Sequence, residues 1–415
     1  MKKVLIMGGG FAGIETFRRL HELLHPAHKH DIRIELISRN NFFTFTPMLH
    51  EAATGSVARE HLVQPIREML VCCGKDFHEA TIANIDPDKQ VVYTDADDYS
   101  YDIGVVALGV EQGYFGTPGA KEHAVSLKWL PDAITMRNRI IDSFEKASER
   151  HDDNNLQAVS EYLHFVIVGG GLTGTELAGQ LSDLISHEMR LFYGDVPHIM
   201  TKITLVHAGP RIIEQFSPQG SQKAARRLEK LGVEIRLGEV VTEVTAKGAK
   251  LKSGEFLNSK NVFWTAGTQS ALPTILPAEL LTERGLLKTE PTLQVTGYKN
   301  LFGVGDCRVA TDQAYFFPPT AQAAVQSAEA AAYNISHMLE GKKLLARRYH
   351  HRGDIIPIGD WYGVFERGSL RGSGRFIWLL RRLIFLMSMY GWANRLQVSF
   401  DWFIALFLPR DTSEF

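Results

Sequence analysis

Cysteine is scarce in this chain: 415 residues carry three, Cys72, Cys73 and Cys307. There is no Cys-x-x-Cys and no even set reading as a secreted disulfide framework, so a reduced, intracellular setting is the natural reading. Adjacent Cys72 and Cys73 bridge only through a strained ring, which argues against a dithiol mechanism. No metal is expected either, because the 16 histidines fall into no ligand spacing. Long apolar runs are missing too. The longest uncharged stretch in the apolar C-terminal part, 383–394, has 12 residues, against the roughly 20 a spanning helix needs. A net charge of -2 gives no global attraction to nucleic acid. The opening MKKVLIMGGG resembles a leader only briefly before entering a glycine turn, and reads as a first strand.

What is abundant is glycine, 36 residues, and a motif that occurs twice. Residues 4–20, VLIMGGGFAGIETFRRL, and 166–181, VIVGGGLTGTELAGQL, each join an apolar strand pattern, Gly-x-Gly-x-x-Gly and a helical pattern. The glycines are Gly8, Gly10 and Gly13, then Gly169, Gly171 and Gly174, a constant spacing of 161 residues. The first glycine turns the chain, the second lets backbone approach a pyrophosphate, and the third lets helix pack on strand. The helix N-terminus then offers bare N–H groups and a positive dipole end to phosphate. Two such motifs, each between a strand and a helix, predict two dinucleotide sites. Phe11, Ala12, Leu172 and Thr173 lie within the turns and join the candidate binding residues.

Far downstream, NLFGVGDC (300–307) reads as a strand ending at Gly305-Asp306, where the carboxylate can bond a sugar-alcohol chain. Closing one domain with a distant segment after an inserted second unit is a layout of two-dinucleotide flavoproteins. With RNNFFTFTPMLHEAATGSV (39–57), YDIGVVALG (101–109), VFWTAGTQ (262–269) and PPTAQAAVQ (318–326), the chain resembles the flavin-dependent pyridine nucleotide oxidoreductases. Within them it is similar to the type II NADH dehydrogenases, the NADH:quinone oxidoreductases. The resemblance covers essentially the whole chain. It implies an α/β fold of two Rossmann-like, glutathione-reductase-like domains with a C-terminal amphipathic membrane-anchoring region. The expected boundaries are 1–115 with 270–340 for FAD, 116–269 for NADH or NADPH, and 341–415 for the C-terminal strands and helices.

The resemblance also implies site residues. For FAD these add Ser38, Arg39, Thr46, Ala107, Gly109, Asp306, Ala321, Gln322 and Arg352 to the first turn. For the nicotinamide nucleotide they add Glu176, His207, Ala266 and Gly267 to the second. Gln322 and Gln326, four residues apart on one helix face, would meet quinone across a wall of alanines. Glu176 follows the second turn by two residues. Placed in a first helical turn, it would favour the dipole, and the resemblance adds nucleotide positioning or proton supply.

Two ribose-reading positions depart from the pattern. The strand RIELIS ends in Ser38 rather than an acid, and a serine still hydrogen-bonds a ribose hydroxyl. The strand KITLVH ends in His207 where NADH-using relatives commonly carry Glu. With Arg211 nearby, His207 would tolerate a 2′-phosphate, so NADPH stands as an alternative donor.

The segment 374–410 is rich in Leu, Phe, Ile and Trp but is interrupted by Arg381, Arg382, Arg395 and Asp401. It reads as one or two helices lying at a membrane surface, with Arg375 and Arg382 meeting anionic lipid and Trp378, Trp392 and Trp402 at the interface. Packing on the domain, or at a homodimer interface, is the alternative. The polar run 145–161 reads as a frayed helix end and linker. The reaction expected is hydride transfer from NADH or NADPH to FAD and two-electron reduction of a membrane quinone, without proton pumping. Its expected place is the cytoplasmic face of a cell inner membrane, within a respiratory chain. Another FAD-dependent diaphorase, a sulfide:quinone-like reductase and a flavin-bound redox sensor lacking turnover remain alternatives.

Overall fold

A computed structural model describes residues 2–24, 32–70, 76–153, 155–194 and 199–413. Cys72 and Cys73 lie outside the described residues. The chain divides into two compact units, 1–44 with 63–111 and 268–352, and 45–62 with 112–267 and 353–415. The 341–415 segment thus divides, with 341–352 in the first unit and the remainder in the second.

The first unit is built on five parallel strands in the order Leu301–Gly303, Ile103–Val106, Lys2–Met7, Ile32–Ser38 and Phe77–Glu79. Val4, Leu5, Ile6 and Met7 are wholly buried, as a parallel strand covered on both faces requires. The late strand Leu301–Gly303 pairs with Ile103–Val106, so the distant segment completes this sheet. Helices Phe11–Leu24 and Ala321–Leu339 pack on one another. The second begins where Pro318 and Pro319 break the chain and Thr320 caps it, accepting from the Ala323 N–H at 3.2 Å. Such a cap contributes about 1 kcal/mol.

The second unit repeats the plan with Val125–Ser126, Asn261–Trp264, His164–Val168, Lys202–His207 and Val233–Leu237, again all parallel. Helix Leu172–Leu184 follows its central strand. A three-stranded antiparallel sheet, Asp354–Pro357, Gly363–Arg367 and Leu370–Gly374, leads into helices Arg375–Ser388 and Trp392–Ile404. The polar stretch expected as a linker is helical instead, through Leu130–Asp152 and again Leu156–Tyr162. The Asn155 side chain restarts the helix by accepting from the Ala158 N–H at 3.1 Å.

Candidate functional site

Both glycine turns have the geometry their sequence predicts. Gly8 and Gly169 adopt φ of 120° and 111°, open to glycine and strained for other residues. A methyl group on Gly13 would meet the Gly8 carbonyl oxygen at 1.8 Å, and one on Gly174 the Gly169 carbonyl oxygen at 1.9 Å. Only glycine lets each helix sit so close to its turn. Above Gly10 and Gly171 the same construction meets nothing within 4 Å. That is the open face a pyrophosphate needs, in front of the bare N–H groups of helices Phe11–Leu24 and Leu172–Leu184.

The rest of the first set gathers in the first unit. Ser38 packs over Gly9, Ala107 places its carbonyl against Gly8, and Gly109 follows the strand Ile103–Val106. Gly305, beside Asp306, lies against Ala12 and donates its N–H to Ser327 Oγ at 2.9 Å. Arg39 pairs with Glu111 at 3.0 Å. Thr46 is the exception, since its turn, Thr46–Met48, belongs to the second unit. Cys307 is fully buried, and burial pushes its thiol up to about 11, so it stays protonated.

Gln322 and Gln326 do share one helix face, and both reach the segment 349–352. Gln326 forms a two-bond pair with the His350 backbone, donating to its carbonyl and accepting from its N–H at 2.9 Å each. Gln322 Oε1 accepts from the Arg352 N–H at 2.7 Å and the Tyr349 hydroxyl at 2.9 Å. The Gln326 amide therefore braces this segment, and Arg352 is held through its backbone.

In the second unit Glu176 is the fifth residue of helix Leu172–Leu184, not in its first turn. The helix begins at Leu172, four residues earlier, so the dipole gives no account of this acid. It lies instead in a buried charged cluster. Arg381, 2% exposed, sits 2.5 Å from Glu51 and 3.8 Å from Glu176. Glu51 also accepts from the Trp402 indole N–H at 3.0 Å, and His50 lies 3.6 Å from Glu176. Burial pushes Glu176 up and Glu51 adds to this, while Arg381 opposes, leaving it at about 8. Burial would also raise Glu51, but Arg381 and its neighbours outweigh this and hold it near 2. Burial and the adjacent Arg381 bring His50 down to about 3, so the imidazole is neutral. The two carboxyls thus share one proton and one charge at neutral pH, with the charge on Glu51 against Arg381.

Reading the sequence missed Glu51, His50 and Arg381 as a group. The available signal was an arginine pair in an apolar helix and a His-Glu pair within PMLHEA. The expectation for the C-terminal helices changes accordingly. Trp378 and Trp402 are buried, and the Arg382 guanidinium stacks on their rings at 3.7 and 4.6 Å. Aromatic faces and a cation are better desolvated together than apart, so these groups turn inward rather than to lipid. What faces outward is apolar: Phe376, Leu379, Leu383 and Met387 on one helix, with Trp392, Leu396, Phe400 and Phe403 on the next. These helices have 14 and 13 residues, about 20 Å each, against a hydrocarbon core of about 30 Å. Among the described residues no helix is long and apolar enough to cross a membrane.

The remaining predicted residues lie around the second turn. His207 ends the strand Lys202–His207, beside Gly170. Ala266 and Gly267 follow the strand Asn261–Trp264, and the Ala266 backbone packs on Gly169.

Residues 2–328 match the pyridine nucleotide-disulphide oxidoreductase family. The chain is 30% identical over 430 residues to the type II NADH:quinone oxidoreductase Ndh of Mycobacterium tuberculosis, covering 98% of this chain and 89% of that protein. To the type II NADH:quinone oxidoreductase of Staphylococcus aureus it is 33% identical over 371 residues, covering 88% and 89%. Its fold matches NDH2 from Plasmodium falciparum, solved in complex with NADH, with a TM-score of 0.90 at 18% identity over 99% of both chains. The sulfide:quinone oxidoreductase of Aquifex aeolicus matches with a TM-score of 0.73 at 18% identity, over 96% of this chain and 92% of that one.

Proposed function

This chain belongs to the pyridine nucleotide-disulphide oxidoreductases, and within them to the type II NADH:quinone oxidoreductases, and from that premise we propose a division of labour among its residues. The first unit binds FAD and the second binds NADH. The enzyme passes reducing equivalents from the nucleotide to a quinone, and no proton is pumped. The observation that carries this reading is the repeated phosphate cradle, with its close-packed third glycine and open second glycine, once in each unit.

In the first unit Gly8, Gly10, Phe11, Ala12 and Gly13 hold the pyrophosphate of FAD. Ser38 and Arg39 take the adenosine end, and Asp306 takes the sugar-alcohol chain. Ala107, Gly109, Ala321, Gln322 and Arg352 line the ring end. When bound, the flavin accepts a hydride and releases two electrons. Gln322 meets the quinone over small neighbours, and Gln326 keeps the 349–352 segment in register for it. In the second unit Gly169, Gly171, Leu172, Thr173 and Gly174 hold the nucleotide's pyrophosphate, with Ala266 and Gly267 beside the turn. Glu176 holds a proton at its carboxyl at neutral pH and supplies it during turnover. The outward apolar face of Arg375–Ser388 and Trp392–Ile404 rests on the cytoplasmic leaflet of an inner membrane.

The test is anaerobic mixing of the purified yellow protein with NADH and, separately, NADPH, followed by quinone. Flavin bleaching by NADH and recovery with quinone is the expected result. Absence of bleaching by either nucleotide would leave the flavin-bound sensor as the better description. Bleaching without recovery by quinone would point to a diaphorase using another acceptor.

A further inference from the structure

The strand Lys202–His207 ends in a histidine where the ribose-reading acid of a Rossmann unit ordinarily stands. The loop that follows supplies an acid from another position. Gly170, the middle residue of the glycine turn, is held on both sides by this region. Its N–H donates to His207 Nδ1 at 3.2 Å, and its carbonyl accepts from the Ile213 N–H at 2.7 Å. The first bond fixes the neutral ring as the tautomer protonated at Nε2. That Nε2 is buried without a hydrogen-bond partner among the described residues. Glu214 Oε1 stands 3.5 Å away.

Two further observations mark the loop as built for this. Ile213, wholly buried and β-branched, has a φ of 43°, a conformation costing on the order of 1 kcal/mol or more. Its neighbour Glu214 is the residue this turn presents. A methyl on Gly209 would meet Glu214 Oε1 at 1.7 Å and His207 Nε2 at 2.9 Å, so both groups converge over that glycine. Arg211, which the sequence offered as a phosphate partner, turns back into its own loop. It donates to the carbonyls of Phe216 and Glu214 at 2.5 Å each.

We propose that Glu214 is the specificity-determining acid of the second unit: with His207 it reads the 2′-hydroxyl of the adenosine ribose and excludes a 2′-phosphate. A hydroxyl is both donor and acceptor. It accepts from His207 Nε2–H and donates to the Glu214 carboxylate. A 2′-phosphate only accepts and carries close to two negative charges, so it satisfies the histidine and is repelled by the glutamate. The acid has moved from the strand to the loop, and the expected tolerance of NADPH is lost. This rests on the reading of the second unit as a nicotinamide dinucleotide site.

The experiment uses redox-inert halves of the two nucleotides, ADP-ribose and 2′-phospho-ADP-ribose, titrated calorimetrically into the flavin-loaded protein. Wild type should bind ADP-ribose more tightly. E214Q should narrow that ratio by roughly tenfold or more, mainly through tighter phosphorylated ligand. H207E/E214Q, which returns the acid to the strand end, should restore it. Flavin content checks the fold of each variant. An E214Q ratio equal to wild type overturns the proposal, as does wild-type preference for the phosphorylated ligand. Failure of wild type to bind either ligand overturns the dinucleotide reading of the unit, and the proposal with it.

Discussion

Glu15 and Glu176 hold the same place in two copies of one motif, two residues beyond the third glycine, and both are buried, yet their charged partners differ. Glu15 is met by arginines of its own helix, Arg18 at 2.9 Å and Arg19 at 2.8 Å, both with side chains well open to solvent. Glu176 has no such neighbours on its helix. Its cation, Arg381, comes from a helix some two hundred residues later and stands nearer to Glu51. The first carboxylate is buried too, but it is paired by two arginines of its own helix whose heads reach solvent. The second shares a buried cation with a stronger competitor and keeps its proton. An identical local motif therefore leaves the chemistry of this position open. What decides it is which charges the rest of the unit brings.

The comparison breaks most visibly at the glycines the two copies share. G13A should yield protein without flavin, because its methyl cannot coexist with the Gly8 carbonyl. G174A should keep its flavin but lose bleaching by NADH, and absorbance spectra of the purified variants check both. Next in size is the buried cation. R381L leaves Glu51 charged in a dry cluster and should cost about 3–5 kcal/mol in urea unfolding, with part regained in E51L/R381L.

Smaller, and aimed at the difference itself, is E176Q. A carboxyl held at about 8, above its ordinary value of 4.5, favours folding fully below pH 4.5 and loses that contribution as pH rises through 8. Wild-type stability should therefore fall between pH 4.5 and about 8 more than that of E176Q. Quinone-dependent flavin reoxidation should show a falling limb near pH 8 that E176Q lacks. The smallest change is E15Q. The glutamine oxygen can still accept from the two arginines, whose heads reach water, so a loss of about 1 kcal/mol in urea unfolding is expected. Equal pH profiles for E15Q and E176Q would mean that the two positions do not differ as described.

Local rules made much of this molecule legible in its sequence. Two strand–turn–helix units followed from glycine spacing, because the close approach of helix to turn excludes every side chain. The shared face of Gln322 and Gln326 followed from helical periodicity, and the distant strand closing the first sheet from the layout that the chain resembles. The glycine turns and the shared helix face depend on neighbours within a few residues or on one backbone pattern. The tertiary structure alone decided the partners of charge. It buried Arg381, Trp378 and Trp402 and stacked Arg382 on the two tryptophans, in a segment that reads as a membrane surface. It joined His50 and Glu51 to Glu176, and set Glu214 beside His207 to stand in for an acid missing from the strand. A side chain's charge state depends on burial and on distances across the fold, and neither is written in the spacing of a motif.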